Sequence, residues 1–165
     1  MPQPALSAEE VLAWNDRTAQ TMRELIEAHP EILALPCDVY GVATVGQLLQ
    51  HIAAVETRYA QRLAGVTETG YDAIPYGTAA EVFGAHDAAI AGFRAELAKD
   101  IDWDSVMEFQ TLTMGRARAS RKTIFYHAIL HSIRHYAQLA TLVRQHGYRP
   151  GVPMDYLLMG FERVD

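Results

Sequence analysis

The sequence has one cysteine, two lysines and no long apolar run, and each scarcity excludes something. Cys37 alone can form neither an intramolecular disulfide nor a multi-cysteine zinc site, which fits a reducing compartment. Lys99 and Lys122 are the two lysines, and 20 acidic residues outnumber 14 Lys and Arg, for a formal charge of -6 with histidine neutral. Such a chain lacks the basic surface that binds nucleic acid or an anionic membrane. No stretch approaches the roughly 18 apolar residues of a bilayer-crossing helix. The opening residues, MPQPALSAEE, turn acidic where a secretion signal carries basic residues and then an apolar stretch, so the expected location is the cytoplasm.

What is present describes an ordinary globular chain. It has 165 residues, 50% apolar and 21% charged, the size of one domain spanning 1–165. A chain of this length buries about 70% of the surface its unfolded form exposes, enough for a core without disulfide staples. Disordered, collagen-like and disulfide-scaffold classes are excluded by the same composition.

The 25 alanines and an apolar recurrence at three and four positions indicate helices. Ser7 followed by Glu10 reads as a capping box opening a helix that runs to about Ala28, before Pro30. Thr44 with Gln47 opens a second, carrying Leu48, Ile52, Val55 and Tyr59 on one face until Gly65. A third begins near Thr78 and ends around Asp100. The fourth runs from about Ser120 to Gly147, roughly 40 Å at 1.5 Å per residue. The linkers Pro30 to Ala43, Val66 to Gly77 and Ile101 to Ala119 are long enough to cross the end or side of a bundle. Within the last, Val106 to Thr113 alternates too irregularly for a strand and reads as loop. A short helix around Asp155 to Gly160 is expected to pack Leu157, Leu158 and Phe161 back on the body. The fold class is therefore all-α, a four-helix bundle with a short C-terminal helix.

Three of the seven histidines, His127, His131 and His135, lie at four-residue spacing in HAILHSIRHYAQL. Two imidazoles one helical turn apart can reach a single metal ion, but His127 and His135 are about 12 Å apart along the axis and cannot share one. At 100° per residue, His131 and His135 straddle the midline of an apolar face with Ile124, Ala128, Gln138, Leu139 and Leu142. His127 falls on a polar flank with Thr123, Arg134, Thr141 and Gln145. Arg134 and Tyr136, beside the pair in sequence, point sideways. Two imidazoles inside an apolar stripe need partners, since an unpaired buried polar group costs about 1–3 kcal/mol. A metal ion would satisfy both, and so would a buried carboxylate, a carbonyl or water. His51, on the shoulder of the second helix's apolar face, is the first candidate for a third ligand, and His86, on the inner face of the third helix, is the second. His29 and His146 read as helix-terminal surface residues.

These two helices resemble those of the DinB/YfiT-like metalloenzymes, a family unrelated to the DNA polymerase that shares the first name. TVGQLLQHIAAVETRYAQRLAG is similar to the family segment in which a histidine follows a leucine pair and a glutamate lies five residues on, here His51 and Glu56. HAILHSIRHYAQLATLVRQHGY is similar to its histidine-rich helix, with two ligands four apart, a glutamine three residues later and an Arg-Gln-x-Gly ending. His131, His135 and Gln138 take the first three places, and Arg144, Gln145 and Gly147 fit the ending. The resemblance implies His51, His131 and His135 as metal ligands, with Glu56 and Gln138 as further candidates at the site. Ser132 and Arg134 depart from the family pattern, which often has an acidic residue and a histidine there; the neighbours of the ligands are therefore expected to differ.

Three neutral imidazoles leave a fourth position open, the pattern of a catalytic zinc site. Zinc or nickel, with iron or manganese as further options, suits such ligands. Characterised relatives imply thiol S-transfer, in which a low-molecular-weight thiol is activated as its thiolate against a small-molecule substrate. Metal-assisted hydrolysis is the second expectation, with Glu56 as base, although a helical glutamate is more often a solvated surface residue. A non-catalytic, stress-associated metal-binding module is the third. The fourth helix also carries Tyr126, Ile129, Leu130, Ile133, Ala137 and Ala140 on its far face, and this all-round apolarity, with the habit of many relatives, points to a homodimer. Cavity walls are expected from the second and third linkers, for instance Tyr71, Tyr76, Trp103 or Met114. Cys37, in a linker beside a proline, is not expected to be the nucleophile.

Overall fold

Each α-helix of the computed structural model, which describes residues 4–164, begins at a side-chain cap legible in the sequence. Helix α1 (Ala8–Ala28) starts with the Ser7 and Glu10 box, the Glu10 amide donating to Ser7 Oγ and the Ser7 amide to Glu10 Oε2. Helix α2 (Val45–Ala64) is capped by Thr44 Oγ1, and Gln47 reaches back to the Ala43 amide. Helix α3 (Ala79–Leu97) repeats the box with Thr78 and Glu81, and α4 (Arg121–Gln145) is capped by Ser120. Each such cap is worth about 1 kcal/mol. Gly65 closes α2 in the left-handed conformation (φ 72°), its amide donating to Arg62 O and that of Val66 to Gln61 O, the paired bonds of a Schellman ending. The third helix ends at Leu97, short of the expected Asp100.

Helix α2 lies against α3 and α4, and α1 lies against the same two, so the bundle is a square with α1 and α2 on one diagonal. Side chains such as Met22, Ile26, Leu48, Phe83 and Leu139 fill one half of the interior, and Leu12, Leu63, Phe93, Phe125 and Ile129 fill the other. Each contributes about 1.5–3 kcal/mol by leaving water. Along α1, α2 and α3, the polar residues Asn15, Glu56 and His86 fall between the residues of the two clusters, and all three are buried.

The third linker corrects the sequence reading. Val106–Gln110 and Arg116–Ser120 are strands β1 and β2 of an antiparallel hairpin, in register from Val106 opposite Ser120 to Gln110 opposite Arg116. Met107 and Phe109 alternate inward with Ala117 and Ala119, while Glu108, Gln110, Arg116 and Arg118 face out. The alternation is weak in β1 taken alone and becomes legible only when Arg-Ala-Arg-Ala is set opposite it. The turn uses Gly115 at φ 74°, with the Thr111 amide donating to Gly115 O at 2.8 Å.

The C-terminal segment also differs from expectation. It makes only one 3-10 turn, Tyr156–Met159, and Leu157 and Phe161 face out, 69% and 55% exposed, while Leu158 is half-buried as expected. Other anchors hold it: Trp14 Nε1 donates to Met154 O at 2.9 Å, the Trp14 and Tyr156 rings meet edge to face, and Arg17 donates to Leu158 O. No helix of the described residues is long and apolar enough to cross a membrane.

Candidate metal centre

One donor atom each from His51, His131 and His135 lies within 4.8 Å of the others, the one group of three such ligand-type side chains among the described residues. Helix α2 delivers His51, and α4 delivers the other two one turn apart. His51 Nε2 and His131 Nε2 are 3.1 Å apart. Two imidazole nitrogens bound at about 2 Å to one tetrahedral ion sit about 3.3 Å apart, so the pair has nearly the spacing of metal ligands. A single shared proton can also bridge such a contact, the tautomers deciding which.

The surroundings favour neutral imidazoles. Burial, reinforced by the charge of His135 and of Arg134, lowers the His51 pKa to about 4. Burial, with the charges of His135 and His51, lowers that of His131 to about 3. Burial also lowers His135, although its bond to Gln138 opposes the shift. His135 donates from Nδ1 to Gln138 Oε1 at 2.7 Å, which selects the tautomer with a free Nε2 lone pair. Arg134 Nη2 lies 3.3 Å from that same Nε2. His131 Nδ1 has no partner and is buried. Three neutral nitrogen donors at this spacing fit a divalent transition metal.

Tyr40 was not legible as a site residue. Its ring stacks on His51 with centroids 4.4 Å apart and meets His135 edge-on at 5.9 Å. Its backbone is left-handed (φ 57°, ψ 25°), a conformation costing a non-glycine residue roughly 1–2 kcal/mol. Nothing in Asp-Val-Tyr-Gly announces that strain.

His51 and His131 wall a cavity of about 420 Å³ roofed by the β1/β2 hairpin. Tyr71 and Met114 line it as expected of the linkers; Tyr76 and Trp103 do not, Tyr76 packing in the core and Trp103 on Phe125. The polar flank of Thr123, His127 and Arg134 is solvent-exposed, as the sequence reading has it, and it also borders this cavity. His127 stacks on Tyr59 and His131 rather than joining the three donors. A larger cavity of about 880 Å³ lies between α1, α4 and the C-terminal segment, beside Trp14, Ile133 and Pro153, but contains no histidine or cysteine.

Two candidates fall elsewhere. Glu56 is neither a solvated surface residue nor a neighbour of the three imidazoles: it is 0% exposed and faces the bundle axis, accepting from Asn15 Nδ2 at 2.8 Å and contacting His86 Nδ1 at 2.6 Å. His86, the alternative third ligand, is therefore committed to Glu56, with Asp16 Oδ1 3.5 Å from its other nitrogen. Burial alone would lower the His86 pKa, but the Glu56 and Asp16 carboxylates override it and push it up to about 9. Contact with His86 in turn holds the Asp16 carboxyl well below the usual range. The placement of Glu56 follows from its position five residues after His51, about 140° around the helix, which turns it from α4 toward α1 and α3.

No curated protein matches the chain. A family profile described as DinB family matches residues 1–162. With four helices in the expected order and three histidines brought together from α2 and α4, the chain belongs to the DinB family.

Proposed function

We propose that this protein is a metal-dependent thiol S-transferase, in which a divalent metal held by His51, His131 and His135 activates a low-molecular-weight thiol. The observation that carries the reading is the open side of the donor group: two of its three imidazoles, His51 and His131, line a cavity, and no fourth histidine, cysteine or carboxylate closes the set among the described residues. Structural zinc sites are closed by four protein ligands, whereas catalytic ones keep a position for substrate. A metal in this position supplies acidification of a bound thiol or water.

The chain's own residues do the rest. Gln138 orients His135, Tyr40 covers one face of His51, and the hairpin shields the cavity from solvent. The thiol comes from outside, because Cys37 is buried in the core beside Val45 and Leu48. Transfer then forms a carbon–sulfur bond as the thiolate attacks the electrophilic carbon and the bond to the leaving group breaks. Hydrolysis is supported less well, since Glu56 is engaged with His86 and no carboxylate lines the cavity to act as base.

The test is metal content by plasma mass spectrometry for the wild type, His51→Ala and His131→Ala, followed by turnover of 1-chloro-2,4-dinitrobenzene with a panel of small thiols. About one equivalent of metal, lost in both variants, and turnover that needs both metal and thiol are expected. Turnover that survives chelation, or proceeds without added thiol, overturns the reading.

A further inference from the structure

The cavity beside the three histidines is lined by no aspartate and no glutamate, although the chain carries 20 acidic residues against 14 Lys and Arg. Its charged walls are all arginine: Arg62, Arg118 and Arg134. Arg62 is largely spent. It donates through Nε and Nη2 to Glu68 at 2.7 and 2.8 Å, and its guanidinium is sandwiched between the Tyr59 and Phe109 rings. Glu68 must also serve Arg58, so two guanidiniums share one carboxylate and the positive excess remains.

Arg134 is different. It makes no ion pair with any carboxylate among the described residues, and its one polar contact is His135 Nε2 at 3.3 Å. That nitrogen is the one left free by the Gln138 bond, so the guanidinium stands at hydrogen-bonding distance from the atom that would face a metal. Arg134 is solvent-exposed and also borders a groove with Asp38, but on the side of the histidines no carboxylate faces it, which leaves an anion there to be supplied by the ligand. One guanidinium within reach suits a planar monoanion, to which it can present two parallel N–H groups.

We infer that the thiol taken by this site bears a carboxylate, and that Arg134 binds it while the sulfur lies at the His51, His131 and His135 centre. This rests on the thiol-transfer reading above. It assigns Arg134 a specificity role: the residue selects among thiols and is not needed to hold the metal. Arg118, on the outward face of β2, is the second cation of the wall and stands farther along the roof.

The test uses cobalt-loaded protein and two probes of nearly equal size, 3-mercaptopropionate and 3-mercaptopropionamide, with dissociation constants read from the sulfur-to-cobalt absorption band. In the wild type the carboxylate probe is expected to bind about tenfold tighter than the amide, the scale of one charge-assisted hydrogen bond. Arg134→Gln should bring the two within about twofold of each other while leaving amide affinity and cobalt stoichiometry unchanged; Arg134→Lys should restore part of the preference. Arg118→Gln should keep it. Equal binding of both probes to the wild type, or a preference that survives Arg134→Gln, overturns the inference and leaves the transferase reading standing. Cobalt uptake with no sulfur band from either probe overturns both.

Discussion

Glu56 Oε2 and His86 Nδ1 lie 2.6 Å apart across the middle of the bundle, with neither side chain reaching solvent. Asn15 holds the other Glu56 oxygen, and Asp16, itself bonded to Arg94 at the surface, flanks the far side of the imidazole. The chain thus stitches α1, α2 and α3 together at the level where the two apolar clusters meet. Because Glu56 and His51 belong to the same helix, the rotation that buries Glu56 against α3 is also the rotation that presents His51 to α4.

Breaking this pair from one side is expected to cost far more than removing it altogether. Glu56→Ala strands the His86 charge in the core and should destabilise the protein by about 3–5 kcal/mol. The double substitution Glu56→Leu with His86→Leu should be less destabilising than either Glu56→Ala or His86→Ala. Urea unfolding of the three variants checks this, and a double variant at least as unstable as the singles would show that Glu56 and His86 act through other partners.

The same pair gives stability a downward limb at alkaline pH. His86 titrates at about 9 in the folded protein and near its ordinary value of 6.5 when unfolded. Between those values the folded state holds the extra proton, so the contribution is complete below about pH 6.5 and disappears as the pH rises through 9. Thermal unfolding from pH 6.5 to 9.5 should show the melting temperature falling, with a shallower fall in His86→Leu. Identical slopes would remove His86 as the cause.

Much of this architecture was legible from local chemistry. Ser7 with Glu10, Thr44, Thr78 and Ser120 announced four helix starts because a cap is a short-range device, complete within four residues. The convergence of His131 and His135 was readable for the same reason, both lying on one helix. The hairpin was not, because its alternation is shared between two strands and Ala117 and Ala119 carry little hydrophobic signal. Glu56 was misplaced for another reason. Helical position gives a direction, but whether that direction meets solvent depends on what the rest of the chain lays over it, here α1 and α3.

Gln138 provides a test of the metal centre that spares the ligands. It contacts His135 at Nδ1, which leaves Nε2 for a metal, and so acts by fixing ring orientation and tautomer. Gln138→Ala is expected to weaken zinc binding by about 10–100-fold with the stoichiometry at saturation unchanged. Competition titration against a chromogenic chelator measures this directly. An affinity within about twofold of wild type would leave Gln138 as a surface residue whose bond to His135 has no consequence.

The roof of the cavity is a two-stranded hairpin. A two-stranded hairpin is marginal on its own, and this one relies on Phe109 against Arg62 and on a turn that places Gly115 at φ 74°. A Cβ there meets no neighbour within 4 Å, so a side chain is opposed by backbone conformation alone, by roughly 1–2 kcal/mol. Gly115→Val should therefore open the hairpin from its turn without unfolding the helices, although β2 ends on Ser120, the cap of α4. Hydrogen exchange is expected to accelerate across residues 106–120 by about tenfold while α1 to α4 keep wild-type protection. Acceleration spread evenly through α2 and α4 would mean instead that the hairpin is part of the cooperative core, and that the cavity cannot open without loosening the helices that carry the histidines.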